Sequence, residues 1–252
     1  MYLSSLLIDT GDNPDRPRPG RLWLRNLYHV HQRFCMAFPS ASQKSDDKDF
    51  LQPYKPENFA EGQVHVARQV ETGFLFRIDP LPGGRVMILV QSAIQPDWDY
   101  AFHNASYLLA ARPECKCFEP DFSDGQRLRF RLAANPTRRL SQHSPDAKEA
   151  SIGKRVPVPT DKLLDWLERR GKSGGFSITK DSTTIQLGYC NFNKPGHNGQ
   201  RLRSVRYDGV LKVTDSASFH ETIISGIGSG KAFGFGLLSV APTETHVREK
   251  ST

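Results

Sequence analysis

Tyr28 and His31 stand three positions apart in the stretch Leu24-Arg25-Asn26-Leu27-Tyr28-His29-Val30-His31-Gln32-Arg33-Phe34-Cys35. On a helix, spacings of three and four put Leu24, Leu27, Tyr28, His31, Phe34 and Cys35 on one face, so a phenol and an imidazole become neighbours. Imidazole titrates near neutrality and exchanges protons in both directions, which suits general acid/base cleavage of RNA. RNA supplies the rest of the chemistry. Its 2′-hydroxyl is an internal nucleophile, and the adjacent phosphate needs only alignment and proton transfer. The same spacing also fits a hydrogen-bonded core histidine beside an amphipathic packing tyrosine. His29, on the opposite face, is expected to be exposed. No HExxH, no cluster of closely spaced carboxylates and no EF-hand loop suggests a metal-dependent nuclease, and no metal or other cofactor is expected.

Such chemistry needs groups that hold a polyanion. Arg127, Arg129 and Arg131 alternate with Leu128, Phe130 and Leu132. Strand geometry puts the three guanidinium groups on one face and the three apolar side chains on the other. This reads as a solvated sheet face or as a phosphate-contacting one, because aligned like charges repel unless an anion meets them. Arg138, Lys154, Arg155, Arg201 and Arg203 are further candidates for RNA contact. The net charge of +7 and a pI near 9.3 agree with a polyanionic partner. Aromatic interleaving is modest and no RNP1-like octamer is present, so a structured duplex fits better than single-stranded bases.

The segment Gly226-Ile-Gly-Ser-Gly-Lys231-Ala-Phe-Gly-Phe-Gly236 could bring backbone close to a phosphate while Lys231 supplies charge. It could equally be a tight helix-to-strand turn. It is not a Walker A loop: Ser225 stands where glycine is required and Ala232 where Ser or Thr is required.

The elements that would position these groups follow from periodicity. Residues 2–9 read as an opening strand and Trp23 to Phe38 as a helix with Asn26 as its cap. A solvated insertion follows over 39–63, then a hairpin of strands 74–78 and 85–90 around Pro80-Leu-Pro-Gly-Gly84. Residues 107–111 fit helix or strand. A second lobe is easier to read, with a strand over 127–133, a helix from Thr160 or Asp161 to Arg170, and strands at 176–179, 184–187 and 205–213. A helix capped at Asp215 or Ser216 and a last strand over 235–240 complete it. This β-α-β-β-α-β order is the ferredoxin-like pattern. The first lobe matches that pattern only in its first half. Cys35, Cys115, Cys117 and Cys190 form neither a zinc-finger set nor a disulfide framework. No apolar run reaches the roughly 18 residues of a membrane span, and the N terminus lacks a secretory pattern, so a cytoplasmic location is expected.

The C-terminal string Gly226 to Pro242 resembles the glycine-rich signature of the CRISPR repeat endoribonucleases, specifically their CasE branch. Met1-Tyr-Leu-Ser4, Asn26-Leu-Tyr-His-Val-His-Gln32, Phe130-Arg-Leu-Ala-Ala-Asn-Pro136, Lys154-Arg-Val-Pro157 and Tyr207-Asp-Gly-Val-Leu211 resemble further landmarks, in the family's order. The resemblance implies an α+β chain of tandem ferredoxin-like (RRM-like) lobes, each an antiparallel sheet with helices on one face. The expected layout is a first domain over 1–115 carrying the Tyr/His helix, a second over 116–242 with the basic face and glycine-rich loop, and a polar tail over 243–252. The implied activity is metal-independent cleavage of CRISPR repeat RNA at the 3′ base of its hairpin, leaving a 2′,3′-cyclic phosphate and a 5′-hydroxyl. His31 takes the place of the catalytic histidine and Tyr28 that of its companion tyrosine. The implied partners are the repeat hairpin and the other subunits of the Cascade complex, with no membrane. Gln32 departs from the pattern, since some members carry a basic residue there. The rival is a non-catalytic subunit that only binds the hairpin.

Overall fold

The opening strand β1 (Tyr2–Asp9) alternates buried Ser4, Leu6 and Ile8 with half-buried neighbours, as a strand with one core face should. In this computed structural model, which describes residues 1–11, 19–39, 73–142, 152–194 and 197–243, β1 is followed by α1 (Pro19–Leu24), α2 (Leu27–Cys35), β2 (Phe74–Leu81) and β3 (Arg85–Ser92). A five-residue helix α3 (Trp98–Phe102), a 3-10 turn at His103–Leu108 and β4 (Glu114–Cys117) come next. The sheet order is β2-β3-β1-β4, with every pairing antiparallel. Tyr2 sits opposite both Ser92 and Cys117. This is a full β-α-β-β-α-β arrangement, so the first lobe has the second half that its sequence pattern did not display. Its last helix is short and capped by Asp97, which accepts from the Tyr100 N–H at 2.9 Å, and its last strand is fully exposed. Residues 40–63 of the expected insertion and 244–252 of the expected tail lie outside the described residues.

The second sheet runs β11-β5-β10-β8, with β9 also paired to β10. Its elements are β5 (Arg127–Ala134), the hairpin β6 (Thr137–Arg139) and β7 (Arg155–Pro157), α4 (Leu163–Ser173) and β8 (Phe176–Ile178). A long hairpin of β9 (Thr184–Lys194) and β10 (His197–Val213), α5 (Ser216–Ser225) and β11 (Leu238–Pro242) complete the set. Tyr207, fully buried, stacks on Trp166 of α4 with ring centroids 6.2 Å apart and donates its hydroxyl to the Leu163 carbonyl at 3.2 Å. That burial pushes the phenol well above its ordinary pKa. The last strand begins at Leu238 and not at Phe235, because Gly234 and Gly236 hold φ of 82° and 93°, outside the extended region.

Two compact units result, each with its own apolar core. The first comprises Met1–Glu119 together with Tyr189–Leu202 and Gly230–Leu237, and the second takes the rest of the chain. The division is therefore discontinuous. The distal part of the β9–β10 hairpin and the end of the glycine-rich segment group with the first unit.

The helix expected over Trp23 to Phe38 is two helices. The N–H groups of Arg25 and Asn26 turn back to the carbonyls of Leu22 and Trp23, and Asn26 itself is extended, with φ −118° and ψ 97°. Leu24 thus lies on α1, although it still packs on the first core. Gly20 lets α1 approach β1 closely: a Cβ there would run into the Asp9 carbonyl oxygen and the Ile8 side chain. Alanine is the better helix former, yet Gly20→Ala is expected to lower the free energy of unfolding by about 1–3 kcal/mol through overpacking. Denaturant unfolding checks this, and an unchanged or raised midpoint would contradict the close approach.

Candidate active site

α2 starts where it does because Asn26 accepts a hydrogen bond from the Tyr28 N–H at 3.2 Å, satisfying one of the donors that a helix N terminus leaves open. Its rotation is set by Phe34. This ring is fully buried and meets Phe76 edge-on at a centroid distance of 5.0 Å, Trp98 at 5.6 Å, Trp23 at 6.1 Å and Phe74 at 6.4 Å. Such edge-to-face pairs are each worth about 0.5–1.5 kcal/mol beyond their area burial. On the flank of α2, Arg33 donates to the Ala101 carbonyl at 2.9 Å and to Asn104 Oδ1 at 2.8 Å, tying the helix to α3 and the turn after it.

With the helix so fixed, His31 is half-buried and its ring lies nearly parallel to Phe74, at 5.5 Å and 27°. Its Nε2 is 3.7 Å from Sγ of the buried Cys35, one turn on. Tyr28 is half-buried and His29 is exposed. The arrangement presents an imidazole oriented by apolar and sulfur contacts and a phenol three residues earlier on the same helix.

Two segments distant in sequence pack beside α2. The 3-10 turn Lys231–Phe233 of the glycine-rich segment lies against it, and Phe233 stacks on Phe192 of β9 at 4.1 Å. Gly234 follows at φ 82°, where a Cβ would come within 3.1 Å of the Phe76 ring. Lys231 is half-buried, and burial lowers the pKa of its ammonium group. Arg201 of β10 stacks its guanidinium over the exposed Tyr189 ring, 3.6 Å from the centroid. Tyr28, His31, Arg201 and Lys231 thus belong to the first unit.

The other basic candidates belong to the second unit. Arg127 and Arg129 are exposed on β5, with Lys212 directly opposite Arg127. Arg131 is different. Asp208 stands opposite it in the register and takes its guanidinium on one carboxylate oxygen, while Arg206 Nε reaches the other oxygen at 2.8 Å. The anion that an aligned row of arginines calls for is in this case partly internal. Arg203 holds the loop before α4, donating to the Val158 carbonyl at 2.6 Å and to Thr160 Oγ1 at 2.8 Å. Arg155 is exposed and donates to Thr137 Oγ1 at 3.3 Å, Lys154 beside it is exposed, and Arg138 is half-buried on β6. Among the described residues no group of three or more His, Cys, Asp or Glu side chains is arranged to hold a metal ion, and no helix is long and apolar enough to cross a membrane.

The sequence patterns did not single out Phe74, Phe192, Phe233 or Tyr189. Only tertiary pairing brings Phe192 to Phe233 or Tyr189 under Arg201, and no local period signals it.

The family described as CRISPR associated protein matches residues 1–242. The CRISPR-associated endoribonuclease Cse3 of Thermus thermophilus is 34% identical over 211 residues, covering 77% of this chain and 92% of that protein. The CRISPR system Cascade subunit CasE of Escherichia coli strain K12 is 29% identical over 245 residues, covering 96% of this chain and 100% of that protein. A solved structure of the CRISPR endoribonuclease Cse3 bound to a 19-nucleotide RNA is similar at a TM-score of 0.68 and 30% identity, over 96% of this chain and 100% of that one.

The Asp208 carboxylate is shared by two guanidinium groups. Asp208→Asn removes the carboxylate that Arg131 and Arg206 share and should cost about 1 kcal/mol of stability, more at low salt than at high. Denaturant unfolding at two ionic strengths measures it. A variant as stable as the parent at low salt would show that the pairing contributes nothing.

Proposed function

Because this chain belongs to the CRISPR-associated protein family, in its CasE branch, we propose that it is a metal-independent endoribonuclease that binds the stem-loop of CRISPR repeat RNA and cleaves at the 3′ base of that stem. The observation that carries the reading is the half-buried imidazole of His31, oriented by Phe74 and Cys35 three residues after Tyr28 on a helix held at its start and along its side.

The reaction needs no external nucleophile. The 2′-oxygen at the cut site bonds to the adjacent phosphorus while the bond from phosphorus to the 5′-oxygen breaks, giving a 2′,3′-cyclic phosphate and a 5′-hydroxyl. One proton leaves the 2′-hydroxyl and one reaches the departing 5′-oxygen. His31 transfers a proton in this step, a role that imidazole fills in either direction near neutral pH. Tyr28 orients the nucleotide.

Arg127, Arg129 and Arg131 on β5, and Arg138, Lys154, Arg155 and Arg203 elsewhere in the second unit, contact phosphates and 2′-hydroxyls of an A-form stem, which is recognised mainly by shape and backbone. Arg131 shares its charge with Asp208. Arg201 and Lys231 add contacts from the first unit. The product is mature guide RNA, and the protein stays on it as a subunit of Cascade, in the cytoplasm.

Single-turnover cleavage of a cognate repeat hairpin in excess EDTA tests the proposal. The wild-type protein is expected to cut, and His31→Ala to slow cleavage by about 10²- to 10⁴-fold with hairpin affinity unchanged. A His31→Ala protein that cuts at the wild-type rate would overturn the assignment. A wild-type protein that binds the hairpin tightly but never cuts it would favour a non-catalytic hairpin-binding subunit.

A further inference from the structure

Asn26 does more than a helix cap requires. Its Oδ1 accepts from the Tyr28 N–H at 3.2 Å and also from the Asn193 N–H at 3.1 Å, while its Nδ2 donates to the Asn193 carbonyl at 3.4 Å. Capping uses only the first of these. The other two form a two-way bridge from one amide side chain to one peptide unit of β9, across 167 positions of sequence. Asn193 in turn accepts the Gly199 N–H on its own Oδ1 at 2.8 Å, closing the end of the β9–β10 hairpin. The neighbouring Phe192 stacks on Phe233, whose turn packs on α2. The hairpin tip therefore grips the first turn of α2 through Asn26 and its side through Phe192 and Phe233.

We propose that Asn26 is a positioning residue: by clasping the backbone of Asn193 it ties the β9–β10 tip to the start of α2, so that Tyr28 and His31 are aligned for cleavage only while that hairpin is seated. The inference rests on the function proposed above. It adds a route by which RNA held at the hairpin, where Arg201 is stacked on Tyr189, reaches the cleaving helix. A small displacement of an aligned group is costly in rate and cheap in binding, because effective molarity falls steeply once reacting atoms leave near-attack geometry.

Capping and clasping can be separated at this one position. In Asn26→Asp the carboxylate still accepts from the Tyr28 and Asn193 N–H groups, and a negative charge at a helix N terminus is favourable. What it loses is the donor to the Asn193 carbonyl, which now faces a second oxygen. Asn26→Ser keeps the cap with a side chain too short to reach β9. If Asn26 only caps α2, both variants cleave like the wild type. If it clasps, both show cleavage at saturating RNA reduced about tenfold, with hairpin affinity and melting temperature unchanged. In Asn26→Ser, hydrogen exchange should accelerate at the Asn193 amide while the Tyr28 amide stays protected.

His31→Ala is measured in parallel to keep the two readings apart. Wild-type cleavage rates and wild-type exchange at Asn193 in both Asn26 variants, with His31→Ala defective, would sink the clasp and leave the catalytic reading standing. A fully active His31→Ala protein would remove the catalytic reading of α2, and the clasp's role in cleavage with it.

Discussion

The burial of Phe34 is the constraint on which the candidate site depends. A nine-residue helix has little cooperativity of its own and takes its place from the face it buries. With Phe34 enclosed edge-on by Phe76, Trp98, Trp23 and Phe74, the rotation of α2 about its axis is no longer free. His31, three residues earlier, then falls on the rim of that cluster, where one aromatic face and one sulfur orient it. A shift of 100°, one residue of a helix, would exchange half-buried His31 for the amide of Gln32, which cannot carry a proton at neutral pH.

The surroundings of the helix follow from the same arrangement. Phe233 stacked on Phe192 and Gly234 against Phe76 bring two remote segments onto the unit that holds α2. Glycine at 234 both tolerates the positive φ of that turn and, lacking a Cβ, leaves room for the Phe76 ring. The glycine-rich segment is therefore a packing element as well as the place of the half-buried Lys231. In the second unit charge is arranged by the same logic of register: Asp208 falls opposite Arg131 and takes its guanidinium.

Much of this was legible in the sequence where it is written locally. Asn26 announces the start of a helix, the three-residue step from Tyr28 to His31 puts both on neighbouring turns, and the Arg-Leu alternation of residues 127–132 displays a half-buried strand. The break between α1 and α2 was hidden because the apolar period runs unbroken from Leu24 to Leu27 while the backbone does not. β4 was hidden for the opposite reason: a four-residue exposed strand carries no apolar period at all. The pairing of Arg131 with Asp208 and the bridge from Asn26 to Asn193 depend on tertiary register, which no local pattern encodes. Gly234 and Gly236 displaced the final strand because an apolar run takes no account of φ.

In the proposed reaction cleavage runs through the 2′-hydroxyl at the cut site, with the protein supplying alignment and proton transfer. The most direct measurement is single-turnover cleavage of a repeat hairpin carrying one 2′-deoxy substitution at that nucleotide. This RNA is expected to bind with the affinity of the unmodified hairpin and not to be cut. Cleavage at the unmodified rate would contradict this expectation, because the proposed nucleophile would be absent and the reaction unimpaired.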